Sequence, residues 1–128
     1  MKILVIEDEP TSRKLATLVL ASGGHQVVDA QSAEEAINAV HQSQPQIILL
    51  DLALPGMDGL ALARHLKQDP KTRHIPIVAV TSYPDRFPRN EAFRAGCDAF
   101  IVKPIDTRKL PGQIEAVLEK HNQHEPQH

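Results

Sequence analysis

The sequence has no tryptophan, one tyrosine and three phenylalanines, so aromatic residues are only 3% of its 128. It therefore has no indole to stack on a flavin. Cysteine occurs once, at Cys97, which excludes an internal disulfide and fits a reducing compartment. No excess of charge of either sign is present: the formal net charge is -2 and the pI about 6.4, which argues against direct nucleic-acid binding. No apolar run approaches the roughly 20 residues that cross a bilayer. The N-terminus, Met1-Lys2-Ile3-Leu4-Val5-Ile6, runs into a strand-like segment without the pattern of a signal peptide. These absences make a cytoplasmic location the expectation, with no membrane partner. The 41% hydrophobic and 23% charged fractions are ordinary for a globular protein, and 128 residues suffice for one domain with an adequate core.

What is present is an alternation. Short β-branched apolar runs, Ile3 to Ile6, Gln26 to Asp29, Ile47 to Leu50, Ile77 to Val80 and Phe100 to Val102, are separated by segments of helical periodicity. Five of each predict a doubly wound α/β fold, a parallel sheet covered on both faces. The first helix follows Pro10, with Leu15, Leu18 and Val19 as its expected inward stripe, and stops at Gly23-Gly24. Ser32 and Glu35 form a capping box for the second, whose stripe is Ala33, Ala36, Ile37 and Val40. The third places Leu60, Ala63 and Leu66 inward. Pro84 and Pro88 make the fourth short and late, ending at Gly96. The fifth carries Leu110, Ile114, Val117 and Leu118, and Pro111 requires a start close by. Residues 1 to 120 are expected to form the domain. Residues 121 to 128 are expected to be a polar, frayed tail whose histidines are assigned no function.

In such sheets ligands bind at the carboxyl ends of the strands. Those ends carry Glu7 and Asp8, then Asp51, then Thr81 and Ser82, then Lys103 and Pro104. Each has an ordinary reading by itself: Asp8, before Pro10, is best explained as a helix cap, Thr81 as a turn former, and Lys103 as a solvated charge. Together, at four strand ends, they point to one site. Three carboxylates in one pocket repel each other unless a cation holds them, and all-oxygen ligands suit Mg²⁺ better than zinc.

Glu7-Asp8, the run Leu50 to Gly59 (LDLALPGMDG), Thr81-Ser82 and the run Ala95 to Pro104 (AGCDAFIVKP) resemble the receiver domains of two-component response regulators. The resemblance covers essentially residues 1 to 120. It implies a flavodoxin-like strand order of 2-1-3-4-5, and a signalling switch rather than an enzyme. It implies phosphoryl transfer to Asp51 from a phosphohistidine of a sensor histidine kinase or phosphotransfer protein. Asp8, Asp51 and the backbone carbonyl of Ala53 would ligate Mg²⁺, with Glu7 acting through a water. Lys103 would pair with a phosphoryl oxygen, and Thr81 and Phe100 would be the switch pair. Pro104 would follow a cis peptide, an expectation resting on the resemblance because such bonds are only about 5% of X-Pro linkages. Output would run through the face of helix 4, strand 5 and helix 5 to a protein partner, with homodimerisation on activation also allowed, whether the receiver is stand-alone or excised from a longer regulator.

The sequence departs from the pattern in two places. Glu7 stands where many receivers have aspartate. Tyr83-Pro84-Asp85-Arg86-Phe87-Pro88 puts two prolines and two aromatics at the start of the output helix. Ala53 and Tyr83 match the positions that flank the path of the hydrolytic water, and neither is a carboxylate or amide, so a long-lived phosphorylated form is expected. Three rivals remain at this point. A flavin carrier is opposed by the acidic Glu7-Asp8-Glu9-Pro10 where a phosphate loop would lie. An interaction module that no longer accepts phosphate is opposed by the complete set of acids, hydroxyl and lysine. An aspartate-nucleophile phosphatase is opposed by Ala53, where a second acid is usual.

Overall fold

The computed structural model describes residues 1–124, with side-chain environments through residue 122. Five strands, β1 (Lys2–Ile6), β2 (Gln26–Ala30), β3 (Ile47–Asp51), β4 (Ile77–Thr81) and β5 (Ala99–Val102), alternate with α1 (Pro10–Ser22), α2 (Ala33–Ser43), α3 (Gly59–Gln68), α4 (Arg89–Arg94) and α5 (Leu110–His124). All pairings are parallel and the order is β2-β1-β3-β4-β5, the flavodoxin-like arrangement expected from the sequence. Strands β3 and β4 are buried along their whole length, which is why they read as unbroken apolar runs. Alternate strand residues feed two cores. Leu4, Ile6, Ile48, Leu50, Ile77 and Ala79 meet α2, α3 and α4 on one face. Ile3, Val5, Ile47, Leu49, Val78 and Val80 meet α1 and α5 on the other.

Helix α1 turns a different side to the sheet than its leucines suggested. Leu15 and Leu18 are 47% and 54% exposed, while Ala16 and Leu20 are buried. Ala16 and Leu20 stand one helical turn apart, and the small alanine lets the helix axis approach the sheet closely. The cap also differs: Glu9, not Asp8, accepts the N–H groups of Thr11 and Ser12, at 3.1 and 2.6 Å. These bonds hold the Glu9 carboxyl below its ordinary range. At α2 the box is shifted by one residue, since Ser32 Oγ accepts from Glu35 N–H but Glu35 accepts from Gln31 N–H. Helix α4 is short, as the prolines required, and α5 opens with Leu110-Pro111, so the proline costs no internal bond. Helix α5 continues to His124, so residues 121–124 are helical rather than a frayed tail. The tail expected over 125–128 lies outside the described residues. Among the described residues no helix is long and apolar enough to cross a membrane.

Candidate functional site

Every strand end that carries chemistry opens onto one edge of the sheet. Register places Ile6 beside Leu50, Asp51 beside Val80, and Thr81 beside Val102. The residues that follow these strands are therefore neighbours. Glu7 leaves β1 with its N–H donated to Ala30 O at the end of β2 (3.0 Å), and its side chain is buried. Asp51 closes β3 and is also buried. Its Oδ1 accepts the Ala53 N–H at 2.9 Å, which fixes the carboxylate's rotation, and its Oδ2 accepts from Lys103 Nζ at 2.9 Å. Lys103 Nζ also donates to Glu7 Oε1. The Lys103 N–H is held by Thr81 O at 2.8 Å, and the Lys103–Pro104 peptide is cis.

Glu7, Asp8 and Asp51 each offer an oxygen within 4.8 Å of the others; Asp8 is the exposed member. Three carboxylates face one ammonium, so two formal negative charges stay uncompensated when all are ionised. The site responds through Glu7, whose pKa is pushed up to about 7 by burial first and by the neighbouring Asp51 next, with Lys103 opposing both. Burial would lower the Lys103 pKa, but its bonds to Glu7 and Asp51 outweigh that and raise it. A donor set made only of hard oxygens, carrying excess negative charge at this spacing, fits a small divalent cation such as Mg²⁺.

The loop after β3 is held tightly behind the site. Gly59 N–H donates to Leu52 O at 2.8 Å. A Cβ on Gly59 would lie 2.5 Å from Leu52 Cα and 2.8 Å from Asp51 O, so only glycine fits. Thr81 is fully buried, and its Oγ1 accepts the Tyr83 N–H at 2.9 Å. Phe100 sits beside Ala79, two residues before Thr81 on the same sheet face, half-buried against the core that includes Leu54, Phe87 and Ala92. In the proline-rich segment after β4 the Arg86 and Phe87 N–H groups both donate to Tyr83 O, at 3.0 and 2.9 Å. Phe87 is buried with the Arg86 guanidinium 5.0 Å over its ring, Tyr83 is 56% exposed, and Arg89 lies 5.1 Å over Phe93 at the start of α4.

The sequence matches the family model of the response regulator receiver domain over residues 3–115. The chain belongs to this family. Among relatives of this receiver domain, the phosphate regulon transcriptional regulatory protein PhoB of Escherichia coli is 36% identical over 119 residues. That alignment covers 93% of the chain but 52% of PhoB, so the chain spans about half the length of that relative. Protein PilH of Pseudomonas aeruginosa is 32% identical over 91% of the chain and 97% of its own length. The crystal structure of NtrX from Brucella abortus superposes with a TM-score of 0.87 at 31% identity, over 95% of the chain and 27% of NtrX. The acidic pocket of this receiver is consistent with a phosphoacceptor site.

The structure brings Glu7, Asp8, Asp51 and Lys103 together, with Ala53 bonded to Asp51 through its N–H and Thr81 one strand away. The sequence reading overlooked Arg13. Its Nη1 donates to the backbone carbonyls of Glu7 (3.1 Å) and Asp8 (3.3 Å). The available signal was a cation near the N-terminus of a helix whose first turn holds no acid.

Proposed function

We propose that this receiver domain accepts a phosphoryl group on Asp51 in a Mg²⁺-dependent reaction with a phosphohistidine of a sensor histidine kinase or phosphotransfer protein, and that the acyl phosphate biases a protein-interaction surface. The observation that carries this reading is the setting of Asp51. One carboxylate oxygen is fixed by the Ala53 N–H, the other meets Lys103, and two further acids lie within 4.8 Å. An Asp51 oxygen attacks phosphorus, the phosphorus–nitrogen bond of the donor breaks, and the imidazole nitrogen leaves with the electron pair. Positioning and charge neutralisation are the protein's main contributions to such transfers. Asp8, Asp51 and the Ala53 backbone carbonyl would hold Mg²⁺, with Glu7 reaching it through a water. When bound, the ion supplies positive charge to the oxygens of the transferring group. Lys103 would then exchange a carboxylate for a phosphoryl oxygen, and the Thr81 hydroxyl would turn from the Tyr83 N–H toward the new anion. Phe100 shares Thr81's sheet face and would move into the space vacated.

Output would pass through α4, β5 and α5 to a protein partner, or to a second copy on activation. In support, β5 is the sheet's edge, and Phe93 and Val102 are exposed there. Residues 1–120 would act as the receiver unit, and a cytoplasmic setting accompanies a phosphohistidine donor. The test is incubation with a small acyl-phosphate donor and Mg²⁺, then intact-mass measurement. Wild type gains one phosphoryl mass and Asp51→Asn gains none; an unmodified wild type overturns the proposal.

A further inference from the structure

We propose that Arg13 is a positioning residue for the divalent-cation site, fixing the backbone from which the Glu7 and Asp8 carboxylates project. The proposal rests on the reading above that these carboxylates hold Mg²⁺.

Arg13 is the fourth residue of α1, where the positive end of the helix dipole disfavours a cation, and no acid stands in the first turn to offset it. The acid one turn back, the Glu9 cap, already accepts the Thr11 and Ser12 N–H groups, so the helix dipole does not by itself account for an arginine at this position. Yet the side chain is drawn inward, 16% exposed, and its Nη1 bridges the carbonyl oxygens of two consecutive residues, Glu7 and Asp8. Its Nε lies 3.9 Å from Asp29 Oδ2 on β2. The turn is thus held at both ends of its peptides, because the Glu7 N–H is already given to Ala30 O and the Glu9 N–H to Glu7 Oε2 at 3.3 Å. Thr17 Oγ1 donates to Arg13 O at 2.8 Å one turn further along. Asp8 depends most on this arrangement. It is the exposed member of the acid cluster, so packing does little to fix its side chain, and the backbone decides where its carboxylate starts.

The guanidinium binds carbonyls and not the clustered carboxylates, so its charge and its geometry act in opposite directions on a cation. As a positive charge it repels Mg²⁺, and removing it would tighten binding. As a clamp on Glu7 and Asp8 it preorganises the site, and removing it would weaken binding. Partners behind metal ligands typically alter affinity by about 10- to 100-fold.

The experiment is a calorimetric Mg²⁺ titration of the full chain at fixed pH and ionic strength for wild type, Arg13→Ala, Arg13→Gln and Arg13→Lys. Each is paired with a thermal melt in the absence of Mg²⁺. The expected result is a Kd about tenfold higher in Arg13→Ala and Arg13→Gln, with Arg13→Lys between them and wild type, and melting midpoints that stay close together. A Kd equal to or below that of wild type in Arg13→Ala overturns the proposal. If Arg13→Ala does not fold, the same criterion applied to Arg13→Gln decides. An affinity loss confined to variants whose midpoint collapses also counts against positioning. Wild type that binds no Mg²⁺ and takes no phosphate removes the proposed function and this inference with it. Wild type that does both, beside an Arg13→Gln of equal affinity, removes only the role of Arg13.

Discussion

Lys103 Nζ reaches Asp51 Oδ2 at 2.9 Å although Asp51 closes β3 and Lys103 follows β5, strands that are not neighbours because β4 lies between them. Two strand spacings amount to roughly 10 Å, which the long lysine stem and the Asp51 side chain span by reaching toward each other. The acid cluster is thereby tied to the edge strand that begins the proposed output face.

Lys103→Ala is expected to slow phosphorylation of Asp51 by a small acyl-phosphate donor by on the order of 100-fold, the usual consequence of losing one donor aimed at developing charge. Its melting midpoint without Mg²⁺ should also fall, because Glu7 and Asp51 stay buried without their shared cation. Intact-mass time courses and thermal melts measure the two effects separately. A variant phosphorylated at the wild-type rate would remove Lys103 from the transfer step.

Glu7 sets the pH dependence. Its carboxyl is raised from 4.5 to about 7, so the folded protein without a divalent ion binds a proton there that the unfolded chain has already released. That contribution to stability is complete below about 4.5 and is lost as pH rises through about 7. At the extreme it amounts to roughly 3 kcal/mol. Divalent cations need the ionised form, so Mg²⁺ should bind more tightly at pH 8 than at pH 6 and raise the melting midpoint more at the higher pH. Glu7→Gln should flatten both trends. Melts from pH 5 to 8 with and without Mg²⁺ test this, and a midpoint increase toward pH 8 in the metal-free wild type alone would contradict it.

The sheet and the acid cluster were legible because their signals are local. Strands are short runs of apolar residues, fully buried in β3 and partly exposed at the edge strand β5, and Asp51 and Lys103 come directly after such runs. The orientation of α1 was not, because hydrophobicity favours Leu15 and Leu18 while packing distance favours Ala16, and only the neighbouring sheet decides between them. Glu9 took the cap from Asp8 for a similar reason: both acids precede the helix, and the direct hydrogen bonds from Thr11 and Ser12 reach only one of them. The contact of Lys103 with Glu7 depends on how strand ends converge across β3 and β4. Arg13 left only a faint signal, a cation near a helix N-terminus, because its hydrogen-bond partners at the site are backbone carbonyls, which leave no mark in side-chain identity.

Gly59 supplies a prediction about the frame of the site. A methyl group there meets Leu52 Cα and Asp51 O, both backbone atoms that cannot swing away as a side chain would. Gly59→Ala is therefore expected to destabilise the fold by about 1–3 kcal/mol, as overpacking does. It should also slow phosphorylation, because the backbone that yields is that of the acceptor itself. Chemical denaturation and the mass time course report the two effects. Gly112 is the control, since nothing lies within 4 Å of a Cβ built there.

The lifetime of the phosphorylated form follows from what flanks Asp51. Hydrolysis needs a water oriented toward phosphorus, and a carboxylate or carboxamide beside the acyl phosphate is the usual means of holding one. Ala53 offers only a methyl group, and its N–H is engaged by Asp51 Oδ1. Tyr83 gives its N–H to Thr81 Oγ1, and its ring side chain is largely solvent-exposed. Neither residue presents an amide or acid side chain, so the phosphorylated protein is expected to persist for minutes or longer after the donor is removed. Ala53→Asn adds a carboxamide without disturbing a charge, and should shorten that lifetime while leaving the adduct on Asp51. Following the phosphoryl mass after rapid desalting gives both rates, and a wild-type adduct lost within seconds would show that some other group orients the water.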